Sequence, residues 1–427
     1  MRFTPALFNH TEALLAELLR SPFPADSVVS RYFRQHRELG HADRGFAAET
    51  VYAVLRRKRS LSARCGDDVT SRRLLLATLA CVNGMNRREL DSVLREVEGK
   101  WLAQAKAVKL EELPPAVRLD LPDWLYETLS AQFSADEVET LAMSLNQSAP
   151  LDLRVNPLKA ERDSVLARLQ ADGIAAEACR YSPLGIRLNG KPSLARHPLF
   201  LDGSIEVQDE GSQLLGLLVQ PRRGEMVADF CAGAGGKTLL LGALMRSQGR
   251  LYAFDVSEKR LAKLKPRLAR SGLSNVHPVR IEREHDAKVK RLAGKLDRVL
   301  VDAPCSGLGT LRRNPDLKWR QSPQALEELV AKQTAILESA ARLPKSGGRL
   351  VYATCSMLPQ ENEAIAEAFT QAHRDFEPLD AGELLAQLKV PEAASLCSGG
   401  ESGSRFVRLW PHRHQTDGFF AAVWQRK

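Results

Sequence analysis

Over the N-terminal third of the chain, apolar side chains recur at one-turn spacing: Leu7, Leu14, Leu15, Leu18 and Leu19, then Val28, Val29, Tyr32 and Phe33. That period belongs to helices burying one face in a shared core, and it predicts an all-helical domain over residues 1–147. Its last helix is marked by Ser134 and Glu137 in SADE, the spacing of a capping box, and stops at NQSAP. From Leu151 the texture changes. LDLRVN reads as a strand, ERDSVLARLQADG as an amphipathic helix closed by glycine, and GIRLNG as a further strand and turn, so a small α/β subdomain is expected over 148–214. Beyond it, over 215–427, strands and helices alternate as in a mostly parallel sheet with helices on both faces. The strands expected are Met226–Phe230, Leu251–Asp255, Val276–Ile281, Leu296–Val301 and Leu350–Thr354, with another near Gly418–Trp424. SGGESGSR reads as a flexible loop.

Charge narrows the partners. Sixty-one Lys and Arg against 52 Asp and Glu leave a formal charge of +9, which favours a polyanion, nucleic acid being the natural one. The basic run Arg56–Arg59 either contacts phosphates or is a solvated helix end. The apolar stretch Leu74–Val82 is too short to cross a bilayer, and MRFTPALFNH lacks a signal-peptide core, so a cytoplasmic protein without membrane contact is expected. Seven cysteines, at 65, 81, 179, 231, 305, 355 and 397, are widely spaced and include no Cys-x-x-Cys pair, which predicts free thiols and no structural zinc. His412 and His414 lack a third ligand nearby, and no metal is expected.

CAGAGGKT, residues 231–238, has the tail of a triphosphate loop, but Cys231 stands where the leading glycine belongs. The dinucleotide pattern begins at Gly233 and Gly235 and fails at Thr238. The context is nonetheless strand, turn, helix, which turns backbone N–H groups toward a ligand beyond the strand. The next strand ends at Asp255, about twenty residues on, where a carboxylate can accept hydrogen bonds from both hydroxyls of a ribose. A nucleoside-bearing ligand satisfies both features. The plainer alternative is a packing turn, with Asp255 capping the helix that begins SEKRL.

Two further strand ends carry chemistry. LDRVLVDAPCSGLGT places Asp302 and Cys305 just past one strand, and GGRLVYATCSMLPQENE places Cys355 at the end of another. Ligands of open parallel sheets bind at the carboxyl ends of strands, so these residues and the glycine turn should converge. A lone cysteine there is usually a small buried hydrophobe. Two of them, both followed by serine and both at strand ends, favour chemistry.

DFCAGAGGKT, AFDVSEKRL, VDAPCSGLGTLRRNPDLKW and YATCSMLPQENE, with LRVNPLK and VQDEGSQL upstream and DGFFAAVWQRK at the end, resemble the RsmB–Nop–Sun family of S-adenosylmethionine-dependent RNA cytosine-5 methyltransferases. The motifs span about residues 150–427; more weakly, ADRGFAAETVYAVLRR is similar to the NusB-like domain of that family's RsmB branch. The resemblance implies a Rossmann-like class I fold, S-adenosyl-L-methionine as cofactor, and a monomer acting on RNA, 16S rRNA or an early small-subunit particle. It implies Cys355 as the nucleophile adding to carbon-6, Cys305 as the residue that helps remove the carbon-5 proton, and Asp302 as the hydrogen-bond partner of the base. The donor would lie over Cys231, Ala232, Gly233, Ala234, Gly235, Gly236 and Lys237, with Asp255 on the ribose and Asp302 nearby. Ala234 replaces the proline usual in the family. RIEREHD stands where Gly-Asp usually meets the adenine; Glu282 fits the register, with Glu284 and Asp286 as alternatives. Lys318, Arg154, Asn156, Gln208 and Asp209 either shape the cleft, touch RNA or are structural. Three other readings stay open: an RNA-binding assembly factor without turnover, an NTPase, and methyl transfer with Cys305 as nucleophile. The same chemistry on tRNA is also compatible.

Overall fold

The computed structural model describes residues 3–399 and 406–427, so most of SGGESGSR lies outside the described residues. The chain divides into two units: residues up to Ser148 together with Leu311–Ser322, and Ala149–Thr310 together with Pro323–Lys427. This differs from the three consecutive domains expected. The small α/β region falls in one unit with the large sheet, and Leu311–Ser322, which contains LRRNPDLKW, belongs with the helices.

The helical unit follows from its periodicity. Helix Pro5–Arg20 starts with Thr4, whose Oγ1 accepts the Leu7 N–H at 3.2 Å, and with Pro5 at its first position. It buries Phe8, Leu14, Leu15 and Leu18 in one core with Val28, Val51, Val54 and Leu75 of the following helices. Each such side chain contributes about 1.5–3 kcal/mol of burial. Leu74–Val82 forms part of this core, and among the described residues no helix is long and apolar enough to cross a membrane. Helix Ala135–Leu145 is capped by Ser134, whose Oγ accepts the Glu137 N–H. The segment 311–322 enters through specific bonds: the Ala25 N–H donates to Asp316 at 3.1 Å, and the Trp319 indole donates to the Leu55 carbonyl at 2.7 Å. Two residues of the basic run are occupied in the same way. Arg56 donates to the Arg312 carbonyl, and Arg59 pairs with Asp123 at 2.6 Å, so neither side chain is a free phosphate ligand.

In the other unit, a small antiparallel sheet has the order β2-β3-β1-β4, with β1 Leu151–Val155, β2 Ala176–Ala178, β3 Gly185–Leu188 and β4 Ile205–Val207. Helix Arg162–Ala171 covers it, packing Val165 and Leu169 on Leu153, Ile186 and Ile205. The large sheet contains β5 Met226–Asp229, β6 Arg250–Asp255, β7 Val276–Arg280, β8 Leu296–Asp302, β9 Pro344–Thr354, β10 Phe376–Leu379, β11 Cys397–Ser398, β12 Phe406–Leu409 and β13 Phe419–Arg426. Its order is β11-β12-β13-β9-β8-β5-β6-β7, with β10 pairing β13. The five strands from β7 to β9 run parallel, whereas β13, β12, β11 and β10 join antiparallel. The sheet is therefore mixed, which corrects the mostly parallel expectation. FFAAVW of β13 is buried on both faces and lacks alternation, the same texture a central parallel strand has, so direction was not readable from it.

Candidate active site

Strand β5 delivers the chain to CAGAGG, and the glycines are needed for conformation. Gly233 and Gly235 have φ of +57° and +85°, a region that disfavours side chains, and a Cβ on Gly235 would lie 2.2 Å from Leu264. The turn closes with the Gly235 N–H donating to the Ala232 carbonyl at 2.8 Å, and helix Gly236–Leu244 follows at once. Asp255, buried at the end of β6, accepts the Gly233 N–H at 2.8 Å on one oxygen and the Ser257 N–H at 2.7 Å on the other. The acid and the glycine turn are thus joined directly. The cap of the next helix is Ser257, whose Oγ accepts the Arg260 N–H.

Charge around the turn is acidic. Lys237 Nζ lies 2.8 Å from Asp302 Oδ2 and 5.8 Å from the centre of the Phe419 ring. Burial works against the Lys237 charge, yet contact with Asp302 prevails and holds its pKa above the ordinary lysine range. Asp229, at the end of β5, is pushed up to about 7 by burial; one oxygen accepts the Thr238 hydroxyl at 2.6 Å and the other lacks a protein partner. Burial raises the Cys231 thiol well above its usual range, and Asp229, Asp302 and Asp255 raise it further. A triphosphate is poorly served here, because the one loop lysine is paired with Asp302 and the turn's other charged neighbour, Asp255, is acidic.

Strands β8 and β9 are neighbours, so their ends bring Cys305 and Cys355 together with Sγ atoms 3.3 Å apart. The Cys355 N–H also points at Cys305 Sγ, at 3.3 Å. The hydrogen bond with Cys355, burial and the charge of Glu361 push the Cys305 thiol well above its ordinary value, which keeps it protonated and able to donate to Cys355. All seven cysteines are free.

The remaining expected residues divide. Arg154 is buried and donates to the Gly236 carbonyl at 2.7 Å and to Gln208, bracing the start of the loop helix. Asn156 is structural, donating to the Gly203 and Ser271 carbonyls at 3.1 and 3.0 Å. Asp209 caps helix Glu210–Leu218. The Ile281 N–H donates to the Asp255 carbonyl at 3.1 Å, and the exposed Glu282 comes next, two residues past the end of β7. Asp286 is committed to capping, since its two oxygens accept the Lys288 and Glu282 N–H groups at 2.8 and 3.0 Å. Lys318 belongs to the helical unit, where it is buried and donates to the Arg56 carbonyl at 2.7 Å; its place is in that core, not in a cleft. Sequence reasoning gave no role to Glu361 and Asn362, both fully buried behind the cysteines; PQENE carries several polar residues and no signal for which turn inward.

A Rossmann-like sheet with this glycine turn and this acidic strand end has the architecture of the S-adenosyl-L-methionine-dependent methyltransferases. Residues 216–425 match a family model described as 16S rRNA methyltransferase RsmB/F, and residues 121–195 match the ferredoxin-like domain of RsmF/B-like methyltransferases. The chain is 33% identical to a probable ribosomal RNA small subunit methyltransferase B of Synechocystis sp., over 96% of this chain and 97% of that one. It is similar over its whole length to the crystal structure of PH0851, which it matches along 100% of both chains with a TM-score of 0.79 and 27% identity. It also resembles a methyltransferase homologue from Pyrococcus horikoshii, with a TM-score of 0.62 and 28% identity over 75% of this chain and 100% of that one. The chain belongs to the RsmB/F methyltransferase family, and its cofactor is S-adenosyl-L-methionine.

Proposed function

We propose that this protein methylates carbon-5 of a cytosine in RNA through a covalent bond between Cys355 and carbon-6 of the base. The observation that carries the reading is the pair of thiols at 3.3 Å beside the Lys237–Asp302 ion pair. The small-subunit ribosomal RNA named for its relatives points to 16S rRNA as the substrate.

The turn suits the cationic donor. Asp229 has a buried oxygen without a protein partner, and that acceptor together with Asp255 favours a sulfonium and an ammonium over phosphates. Cys231, Ala232, Gly233, Ala234, Gly235, Gly236 and Lys237 would hold it, with Asp255 on the ribose and Glu282 at the adenine. When bound, S-adenosyl-L-methionine supplies the electrophilic methyl that carbon-5 takes.

Carbon-5 of cytosine is a poor nucleophile, and addition of the Cys355 sulfur at carbon-6 makes it an enamine carbon. Asp302, its carboxylate fixed by Lys237, accepts from the exocyclic amine, and from the ring nitrogen once that nitrogen gains the Cys355 proton as sulfur adds at carbon-6. The hydrogen bond with Cys355 and burial raise the Cys305 thiol and favour its protonated form before the base arrives. Once Cys355 is bonded to carbon, Cys305 gives its own proton to solvent, and the resulting thiolate takes the carbon-5 proton as the Cys355–carbon-6 bond breaks and Cys355 leaves as thiolate. The base must be unstacked to reach the thiols, which suits a single-stranded or opened site. Bisulfite sequencing of 16S rRNA and tRNA from cells with and without the gene tests the reading. One 5-methylcytosine lost from 16S rRNA is expected; an unchanged 16S pattern would overturn the substrate.

A further inference from the structure

The two cysteine loops are tied from behind by adjacent residues, Glu361 and Asn362. Glu361 ends the short turn Pro359–Glu361 that follows the Cys355 loop, and it is fully buried. One carboxylate oxygen accepts the Ser306 N–H at 2.7 Å and the Gln333 amide at 2.9 Å; the other accepts the Ser306 hydroxyl at 2.6 Å and the Ser356 hydroxyl. Gln333, on helix Pro323–Ala340, donates from the same nitrogen to the Pro304 carbonyl at 3.0 Å. Both neighbours of Cys305 in the chain are therefore anchored on Glu361, one directly and one through Gln333. Asn362 does the same for the other thiol. Its amide donates to the Ser356 carbonyl at 3.1 Å, and its oxygen accepts the Thr354 hydroxyl at 2.5 Å, so both neighbours of Cys355 are held.

A buried carboxylate is costly, and an apolar side chain of similar volume would usually be cheaper for the fold. With both serine hydroxyls donating, however, four donors from three segments are satisfied together by an acceptor-only group, which among side chains Asp and Glu supply. We propose that Glu361 and Asn362 are positioning residues for the two thiols, Glu361 setting Cys305 and Asn362 setting Cys355. Removing Glu361 frees both neighbours of Cys305 but only the hydroxyl of Ser356, whose carbonyl Asn362 still holds, so its loss falls mainly on the Cys305 step; removing Asn362 falls on the Cys355 step. This rests on the assignment of Cys355 to addition and Cys305 to release.

The test is a single turnover of the full-length protein with S-adenosyl-L-methionine and 16S rRNA from cells lacking the gene. Denaturation-resistant protein–RNA species and released 5-methylcytosine are measured for Glu361→Ala, Glu361→Gln, Asn362→Ala, Cys305→Ala and Cys355→Ala. Misplacing a reacting group by about 1 Å costs about 10²-fold. Glu361→Ala should accumulate covalent species and release product about 10²-fold more slowly, as Cys305→Ala does. Asn362→Ala should lose covalent species and product together, as Cys355→Ala does. Glu361→Gln, whose amide can serve the same sites if the serine hydroxyls turn to accept, should fall between wild type and Glu361→Ala, and it keeps the test available if the alanine variant does not fold. Glu361 variants that lower covalent species and product in equal proportion, or change neither, would overturn the proposal. If instead the two cysteine variants themselves fail to separate, the assignment of steps is wrong and a second readout decides. Disulfide formation between Cys305 and Cys355 under diamide, followed by peptide mass spectrometry without RNA, should slow in Glu361→Ala and Asn362→Ala whichever thiol attacks. Unchanged rates would overturn the clamp.

Discussion

Lys237 and Lys318 are both buried and both sit in motifs shared with the family, yet their surroundings drive them in opposite directions. Lys237 touches the Asp302 carboxylate at 2.8 Å and stays charged above the usual lysine range. Lys318 has two neutral acceptors, the Arg56 carbonyl at 2.7 Å and the Asn146 side chain at 3.2 Å. Burial pulls it down to about 7; Asp120 opposes the fall and Arg56 and Arg57 reinforce it. Neutral oxygens satisfy the hydrogens of an ammonium without balancing its charge, so the contact carboxylate decides which lysine carries charge into chemistry.

The largest effect should come from Lys237→Met, which leaves Asp302 without its partner. Methylation is expected to fall about 10²-fold or more, the scale of losing one preorganised electrostatic contact. Lys318→Met should keep near wild-type activity per folded molecule, measured by methyl incorporation into RNA; a loss equal to that of Lys237→Met would erase the distinction.

The pH dependence of stability sharpens it. An unfolded lysine keeps its proton to about pH 10.4, whereas folded Lys318 releases it near 7. Between these values the unfolded state binds more protons, so Lys318 makes stability rise from pH 7 toward pH 10, by up to a few kcal/mol. Lys318→Met should flatten that rise in urea melts. Lys237, whose folded pKa is raised, contributes stability below the ordinary lysine pKa and loses it only as pH passes the raised value, so Lys237→Met should leave the slope between 7 and 10 unchanged.

Smaller effects belong to the turn beside Lys237. Asp255→Ala should weaken S-adenosyl-L-methionine binding by about 10- to 100-fold in calorimetry, through loss of charge-assisted hydrogen bonds; an unchanged Kd would remove it from the ribose site. Ala234→Pro restores the residue usual in the family, and it should alter that Kd less than about threefold, since a compatible proline acts mainly on the unfolded chain.

What could be read from the sequence was whatever a local pattern carries. Strand ends bearing Asp255, Asp302, Cys305 and Cys355 were legible because each follows a run of apolar residues and precedes a turn. The place of Lys318 stayed open because nothing in LRRNPDLKW tells what the segment will bond; that depends on partners such as Leu55 and Ala25, far away in sequence. The antiparallel half of the sheet was hidden by the uniform burial of β13. Glu361 and Asn362 were hidden for the opposite reason, since a buried polar residue has the same sequence signature as an exposed one until its donors are known.

The most direct measurement uses RNA carrying 5-fluorocytosine at the target, incubated with protein and S-adenosyl-L-methionine and digested for peptide mass spectrometry. Fluorine at carbon-5 blocks proton removal and traps the covalent species. The expected result is a base attached to Cys355, lost in Cys355→Ala and retained in Cys305→Ala. Attachment to Cys305, or no covalent species from an active preparation, would contradict the assignment of Cys355 as the nucleophile.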